Sequence, residues 1–257
     1  VEDLASETNN VILTSGGNIG ADSVVTTDAL TFAGKDLGLN VSGSLTSADT
    51  TVSANGATLA VTPASAEVDG TASLGKLTIA GVESGALNGL TITNGTETAV
   101  TADSLVIEYV AEDKTADPAV AEKKAGTFTL EQGDFTVGTM TVGKGGAVSI
   151  ANGSTFTINA EGASVNAGKV TNNGTLVIAE GVAFDNAKKD ATISADANSG
   201  SIVVAGTLTN YAPKAGDVEA ISGTITANEL TVKANGKVDS ELGAAYAVAT
   251  TTLETGA

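Results

Sequence analysis

Short runs in which an aliphatic residue or Phe alternates with Thr or Ser recur along much of this chain. Examples are TFTL (Thr127 to Leu130), FTVGTMTV (Phe135 to Val142), AVSI (Ala147 to Ile150) and TFTINA (Thr155 to Ala160). TLTN (Thr207 to Asn210), GTITA (Gly223 to Ala227) and LTV (Leu230 to Val232) repeat the pattern. A period of two with β-branched residues defines strands that bury one face, and helical periodicity is nearly missing. Thr suits the outward face because it has good strand propensity and a hydroxyl that stays hydrated.

Turn chemistry falls between these runs. Asn-Gly occurs six times, at Asn55, Asn88, Asn94, Asn152, Asn173 and Asn235. Both residues tolerate the positive φ of a tight corner. In NAGKVTNNGTLVIAEGVAF (Asn166 to Phe184), Asn173-Gly174 stands between two apolar runs, which is the strongest short signal for a two-residue hairpin. Related phrases of Gly followed by Thr or Ser and an alternating run start at Gly126, Gly138, Gly153, Gly174, Gly206 and Gly223. Their irregular spacing fits two architectures: a parallel β-solenoid (β-helix) with variable corner loops, and an antiparallel β-sandwich.

Composition favours the solenoid. Hydrophobic residues make up 42% and aromatics only 3%, so a core has to be narrow and filled by Val, Ile, Leu and Ala. Sandwich cores use more aromatics. Asn at corners also suits stacking, because aligned amides form ladders along an axis. The expectation is one elongated domain over residues 1–257, all-β, with about 20 residues per coil, roughly a dozen coils and a length of about 55–60 Å. One segment departs from the pattern. EYVAEDKTADPAVAEKKAG (Glu108 to Gly126) is charged and reads as a loop, or as a short helix starting at Asp117-Pro118 and ending at Gly126. YAPKAGDVE (Tyr211 to Glu219) reads as a second loop.

Residue types limit the chemistry. The chain carries 30 acidic residues against 12 basic ones, all Lys, for a net charge of −18. That balance argues against nucleic-acid binding and against anionic membrane surfaces. No run approaches the length of a membrane-spanning helix, so no membrane insertion is expected. The absence of His and Cys removes Ser-His-Asp and Cys-His catalysis, thiol chemistry and the usual zinc ligands. The absence of Arg removes one base that polysaccharide-cleaving β-helices lean on, and the absence of Trp removes the ring on which sugars stack. Paired carboxylates for glycoside hydrolysis remain open among so many acids. No catalytic, cofactor-binding or metal-ligating residue is therefore assigned.

Calcium has one weak candidate. GGNIGADSV (Gly16 to Val24) approaches the calcium-binding nonapeptide, with Asp22 as its acid, but it has one residue too many and occurs once. DNAKKD (Asp185 to Asp190) reads as a solvated corner, with a Lys–Asn isopeptide bond as the remote alternative.

The segment Gly145 to Phe184 resembles the β-helical passenger regions of bacterial autotransporters and related surface adhesins. The likeness rests on TNNGTLVI (Thr171 to Ile178) and GTLTN (Gly206 to Asn210), covers about residues 127–238 well, and is one of style. The resemblance implies export to the outside of a Gram-negative cell, adhesion to a host or matrix ligand, and self-association. The alternating strands and aromatic girdles of an outer-membrane barrel are missing from the sequence. The chain opens with Val1 and no basic-then-apolar leader, as a processed chain or an excerpt of a longer one would. Strand-forming stretches near both termini, Val11 to Leu13 and Tyr246 to Thr250, point to head-to-tail joining into a homo-oligomer or homopolymer. The function expected is a non-enzymatic extracellular fibre subunit or adhesin stalk. The alternative is a carbohydrate-binding or carbohydrate-cleaving β-helix.

Overall fold

A computed structural model of the chain describes residues 9–21, 23–63, 70–95, 98–186, 191–195, 199–210, 224–240 and 244–257. The described residues form 24 strands in one continuous sheet and no helix. Every strand-to-strand ladder is parallel. The chain is a parallel β-solenoid.

One coil shows how the winding works. Ala147–Ile150 lies on a first face, Thr155–Ile158 on a second and Gly162–Asn166 on a third. The next coil repeats this with Lys169–Asn172, Thr175–Ile178 and Val182–Asn186. Each strand pairs only with its equivalents one coil before and one coil after. Lys169–Asn172 and Thr175–Ile178 do not pair with each other. Asn173-Gly174 between them is therefore a corner of the prism and not a hairpin turn.

Nine complete three-faced coils are described, flanked by Asn10–Leu13 at one end and Ala245–Leu253 at the other. Stacking at the usual strand spacing makes the first face about 45 Å long. The count falls short of a dozen because coil length varies. A coil advances 20 residues where Val24 pairs with Ser44, and 35 where Val100 pairs with Phe135. The extra residues sit at corners, where they leave the stacking intact.

The interior is built from columns of side chains, one per coil. On the second face Val25, Leu45, Ala72, Val100, Phe135, Phe156, Leu176, Ile202 and Leu230 stand in one column. All five Phe residues are buried. Phe128, Phe135 and Phe156 pack together with ring centroids 5.0–5.8 Å apart, tilted or edge-on. Such arrangements favour the ring quadrupoles.

Glycine at the start of the recurring phrases has a steric cause. At Gly126, Gly138, Gly174 and Gly206 an added Cβ would land on a backbone carbonyl of the preceding coil, that of Asn88, Asp103, Ser154 and Val182 respectively. The chain passes too close beneath its neighbour for any side chain. Gly153 is different: its φ is +80° and its surroundings are open.

A third-face column changes character along the rod. It runs Phe32, Val52, Ile79, Ile107, Val142 and then Asn166, Asn186, Asn210. Asn166 Nδ2 donates to Asn186 Oδ1 at 2.8 Å, and Asn186 Nδ2 donates to Asn210 Oδ1 at 2.9 Å. The same three Nδ2 groups also donate to the carbonyls of Thr192, Thr224 and Ala245. An amide ladder therefore exists, but it is formed by these three residues and not by the Asn-Gly pairs.

Outward positions form hydroxyl columns. Thr26, Thr46, Ser73, Thr101, Thr136 and Thr157 follow one another on the second face. Thr58, Thr91, Thr129, Ser149, Thr171 and Ser194 do so on the first. In the described registers no carboxylate stacks directly on another. Asp185 and Asp239 are separated by Thr209, and Asp49 stacks on Lys76.

The charged segment after Ile107 is neither a helix nor a featureless loop. It leaves the corner between the third and first faces as a narrow antiparallel arm, bridged at Val110–Lys123 and Asp113–Val120 and tied to the previous coil at Val82–Lys124. At its tip Asp113 Oδ1 accepts from Thr115 N, Thr115 Oγ1 and Ala116 N at 2.7–3.2 Å. That turn sends the chain back before a helix can start. The Tyr211 to Glu219 stretch lies outside the described residues.

Two outcomes test this account. Asn186→Ala removes the Nδ2 donor to Asn210 Oδ1 and to the Thr224 carbonyl, and is expected to cost about 1–3 kcal/mol in chemical denaturation. Thr209→Asp puts a third carboxylate between Asp185 and Asp239, whereas Thr209→Lys puts a cation there. The Lys variant should melt higher than the Asp variant in low salt, with the gap narrowing as salt is added.

Candidate functional site

The prism leaves shallow features on its surface, and a polar one lies along the corner between the first and second faces. It is a cleft of about 260 Å³ lined by Asn152, Asn173, Thr175, Ser201, Asn228 and Glu229, with Gly153, Gly174 and Gly200 at its floor and rim. These residues come from four successive coils, so the cleft runs parallel to the rod axis. Stacking places them: Thr175, Ser201 and Glu229 are consecutive members of one outward column. Asn228 N and Glu229 N both donate to Gly200 O, at 3.0 and 3.2 Å, which fixes the last wall against the one before it. A second hollow of about 340 Å³, around Ala195, Thr226, Asn228 and Ala247 to Ala249, continues the furrow along the same corner.

The cleft offers amide groups that both donate and accept, two hydroxyls and the single carboxylate of Glu229. That set suits neutral polar groups such as sugar hydroxyls. It does not contain two carboxylates facing one another, which is what glycoside hydrolysis requires.

The remaining candidates are dispersed. Asp22, the acid of the calcium-like stretch, lies outside the described residues, as do positions 187–190 of DNAKKD. Gly17–Ile19 of that calcium-like stretch is an ordinary first-face strand. Among the described residues no three acids gather into a cation site. The arm carries a small polar cluster, in which Tyr109 Oη donates to Glu122 Oε1 at 3.1 Å and Lys144 Nζ sits 5.8 Å from the Tyr109 ring centroid. Glu108 Oε2 accepts from Gly81 N at 3.0 Å and holds the arm's root. The Asp113 carboxyl lies below its ordinary pKa because the Thr115 hydroxyl, then the Thr115 and Ala116 N–H groups, favour its charged form. This is a turn, and no reacting group faces it.

An apolar cavity of about 190 Å³ lies inside the first coils, lined by Val11, Leu13, Ile19, Val25, Leu30, Leu39 and Leu45 among others. It adjoins the core, since Val11, Leu13, Ile19 and Val25 in its lining are only partly buried. Sequence reasoning found neither this cavity nor the corner cleft. The cleft residues are spread from Asn152 to Glu229, and only coil register brings them together.

The chain matches no family model, no curated protein and no solved structure to which it was compared.

One ionisable group reports on the last described coil. Half-buried Tyr246 has its pKa pushed up from 10.0 to about 12, first by desolvation and then by the Asp239 carboxylate. The folded state therefore binds this proton more tightly than the unfolded chain. The associated stability is complete below pH 10 and is lost as pH rises toward 12. Thermal melting between those limits should fall less steeply for Tyr246→Phe than for the parent chain, and an absorbance titration should lose its latest phenolate component.

Proposed function

We propose that this chain is a non-enzymatic rod of a bacterial surface protein, an extracellular fibre subunit or adhesin stalk that associates head to tail. The observation that carries the reading is the column architecture. Side chains of one coil stack in register on those of the next through the nine complete coils, giving an elongated element with a narrow core. Such an element holds two points at a fixed separation, which is what a stalk does. The outward faces support the same reading, since their columns of Thr and Ser are uncharged and wettable. In the described registers no carboxylate has another directly above it. TNNGTLVI, the phrase that carries the likeness to autotransporter passengers, spans one first-face strand end, one corner and one second-face strand.

Parallel backbone pairing is the interaction by which one coil of this rod recognises the next. The same pairing between copies is the route proposed for head-to-tail joining. Electron microscopy and sedimentation over a range of concentrations test it. Rods whose length grows in steps of one molecule are the expected result. Single-molecule rods at every concentration would remove the polymer part of the proposal.

The corner cleft favours one second reading, a carbohydrate-binding β-helix, because its amides, hydroxyls and lone carboxylate match neutral glycans. A panel of neutral and acidic glycans, scored for binding and for new reducing or unsaturated ends, separates the two. Binding lost in Asn173→Ala or Glu229→Ala would support the glycan reading, and new ends would contradict the non-enzymatic one.

A further inference from the structure

The six Asn-Gly pairs share one intrinsic reaction, and the fold distinguishes between them. In that reaction the backbone nitrogen of the glycine loses its proton and attacks the Asn side-chain carbonyl carbon, Cγ. The C–N bond to the side-chain amide breaks, ammonia leaves, and a five-membered succinimide remains. Water then opens the ring at either carbonyl to give aspartate or isoaspartate. The balance is one water consumed and one ammonia released, with no oxidant, metal or enzyme needed. The reaction requires a glycine N–H that is not held in a hydrogen bond, a side chain free to swing onto it, and access to water.

Five of the pairs fail one of these conditions. Asn88 and Asn94 are buried, and their Nδ2 groups donate to the carbonyls of Ala80 and Asp134 at 2.8 and 2.9 Å. Their glycines are held too: Gly89 N donates to Ala54 O and Gly95 N to Val61 O. Asn55 Nδ2 donates to Leu87 O at 2.8 Å, and Gly56 is crowded by the Asp36 carboxylate. Gly174 is buried, with the carbonyls of Ser154 and Ala151 closing around it. Asn235 is exposed, but Gly236 is buried and its N–H donates to Lys233 O at 2.9 Å.

Asn152-Gly153 meets all the conditions. Both residues are exposed at a corner. Beyond the adjoining residues no atom lies within 4 Å of where a Gly153 Cβ would be, and the backbone there already sits at φ +80°. Among the described residues Gly153 N–H has no backbone acceptor and the Asn152 amide has no hydrogen-bond partner.

We infer that Asn152 is the site of preferential spontaneous deamidation in the folded protein, a self-modification written by the corner that carries it. Its consequence is local. Asn152 lines the same cleft as Glu229, so conversion gives that cleft a second carboxylate. The isoaspartate product also lengthens the backbone between two faces of one coil.

The test is incubation of the intact chain at mildly alkaline pH and 37 °C beside an identical sample held unfolded in denaturant, with peptide mass spectrometry at each Asn-Gly. In the unfolded sample all six should convert at comparable rates. In the folded sample Asn152 should stay within a few-fold of its unfolded rate. Asn88, Asn94 and Asn173 should slow by at least about tenfold, because a held or buried group must first open locally. Isoelectric focusing of an Asn152→Gln variant should lose the first acidic shift. An intact Asn152 amide in a folded sample whose unfolded twin has converted would overturn the inference. So would conversion at Asn88, Asn94 or Asn173 as fast as at Asn152, or an unchanged acidic shift in the variant.

Discussion

Backbone pairing between successive coils, parallel and in register, is the constraint to which the rest of this molecule answers. Once strands stack about 4.8 Å apart, every side chain has its counterpart of the next coil as a near neighbour. An inward position must then suit the residues above and below it in its own column. Aliphatic residues do this with little cost, which is why the columns are mostly Val, Ile and Leu. Phe is used where neighbouring rings can tilt against one another. Phe135 and Phe156 share a column, and Phe128 enters from the first face to close the group.

The same closeness governs the surface. Two carboxylates in adjacent rungs would repel at short range, so a chain with a net charge of −18 has to distribute them. It does so by alternating acids with Thr, by setting Asp49 against Lys76, and by placing others at corners and on the arm. Thr is suited to the outward rungs for the complementary reason: its methyl group packs along the column and its hydroxyl remains in water. The surface is thereby acidic overall, yet carries uncharged columns along two of its faces.

This constraint also explains what could be read from the sequence. The alternation in TFTL or TLVI states which residues face inward, and the sparse aromatics state that the interior is narrow. Asn173-Gly174 announces a change of direction, though not whether the next strand returns beside the last or continues around a prism. The choice between hairpin and corner was legible only from composition. Coil number was not legible, because the 80–88 and 108–126 insertions lengthen coils without disturbing the alternation on either side. The apparent helix start at Asp117-Pro118 lost to a local competitor, the Asp113 carboxylate that turns the chain back at Thr115 and Ala116. The amide ladder was hidden for a different reason. Asn166, Asn186 and Asn210 occupy equivalent rungs, but nothing in VNAG, DNAK or TNYA marks them as equivalent until the register is known. The cleft is assembled from four coils and is invisible for the same reason.

Alternation leaves one ambiguity that aliphatic columns cannot resolve. A slip of two residues between neighbouring coils keeps every inward residue inward, and replacing Val by Ile in a column changes packing only modestly. A short corner removes this freedom by its length, as between Asn166 and Lys169. The chain between Asn186 and Thr192 is longer, and that between Asn210 and Thr224 longer still, so chain length constrains register less there than at a short corner. The amide ladder lies in this stretch. Its hydrogen bonds are directional, and a two-residue slip would break the Asn166–Asn186 and Asn186–Asn210 bonds and set Asn side chains against rungs such as Phe184 or Leu208. Up to Val142 the same rung is hydrocarbon, and one pair of neighbouring coils there is tied from outside by the Val82–Lys124 bridge at the root of the arm. Directional contacts thus add to register where the core by itself would permit sliding: the buried amides along Asn166, Asn186 and Asn210, and the Val82–Lys124 bridge at the root of the arm.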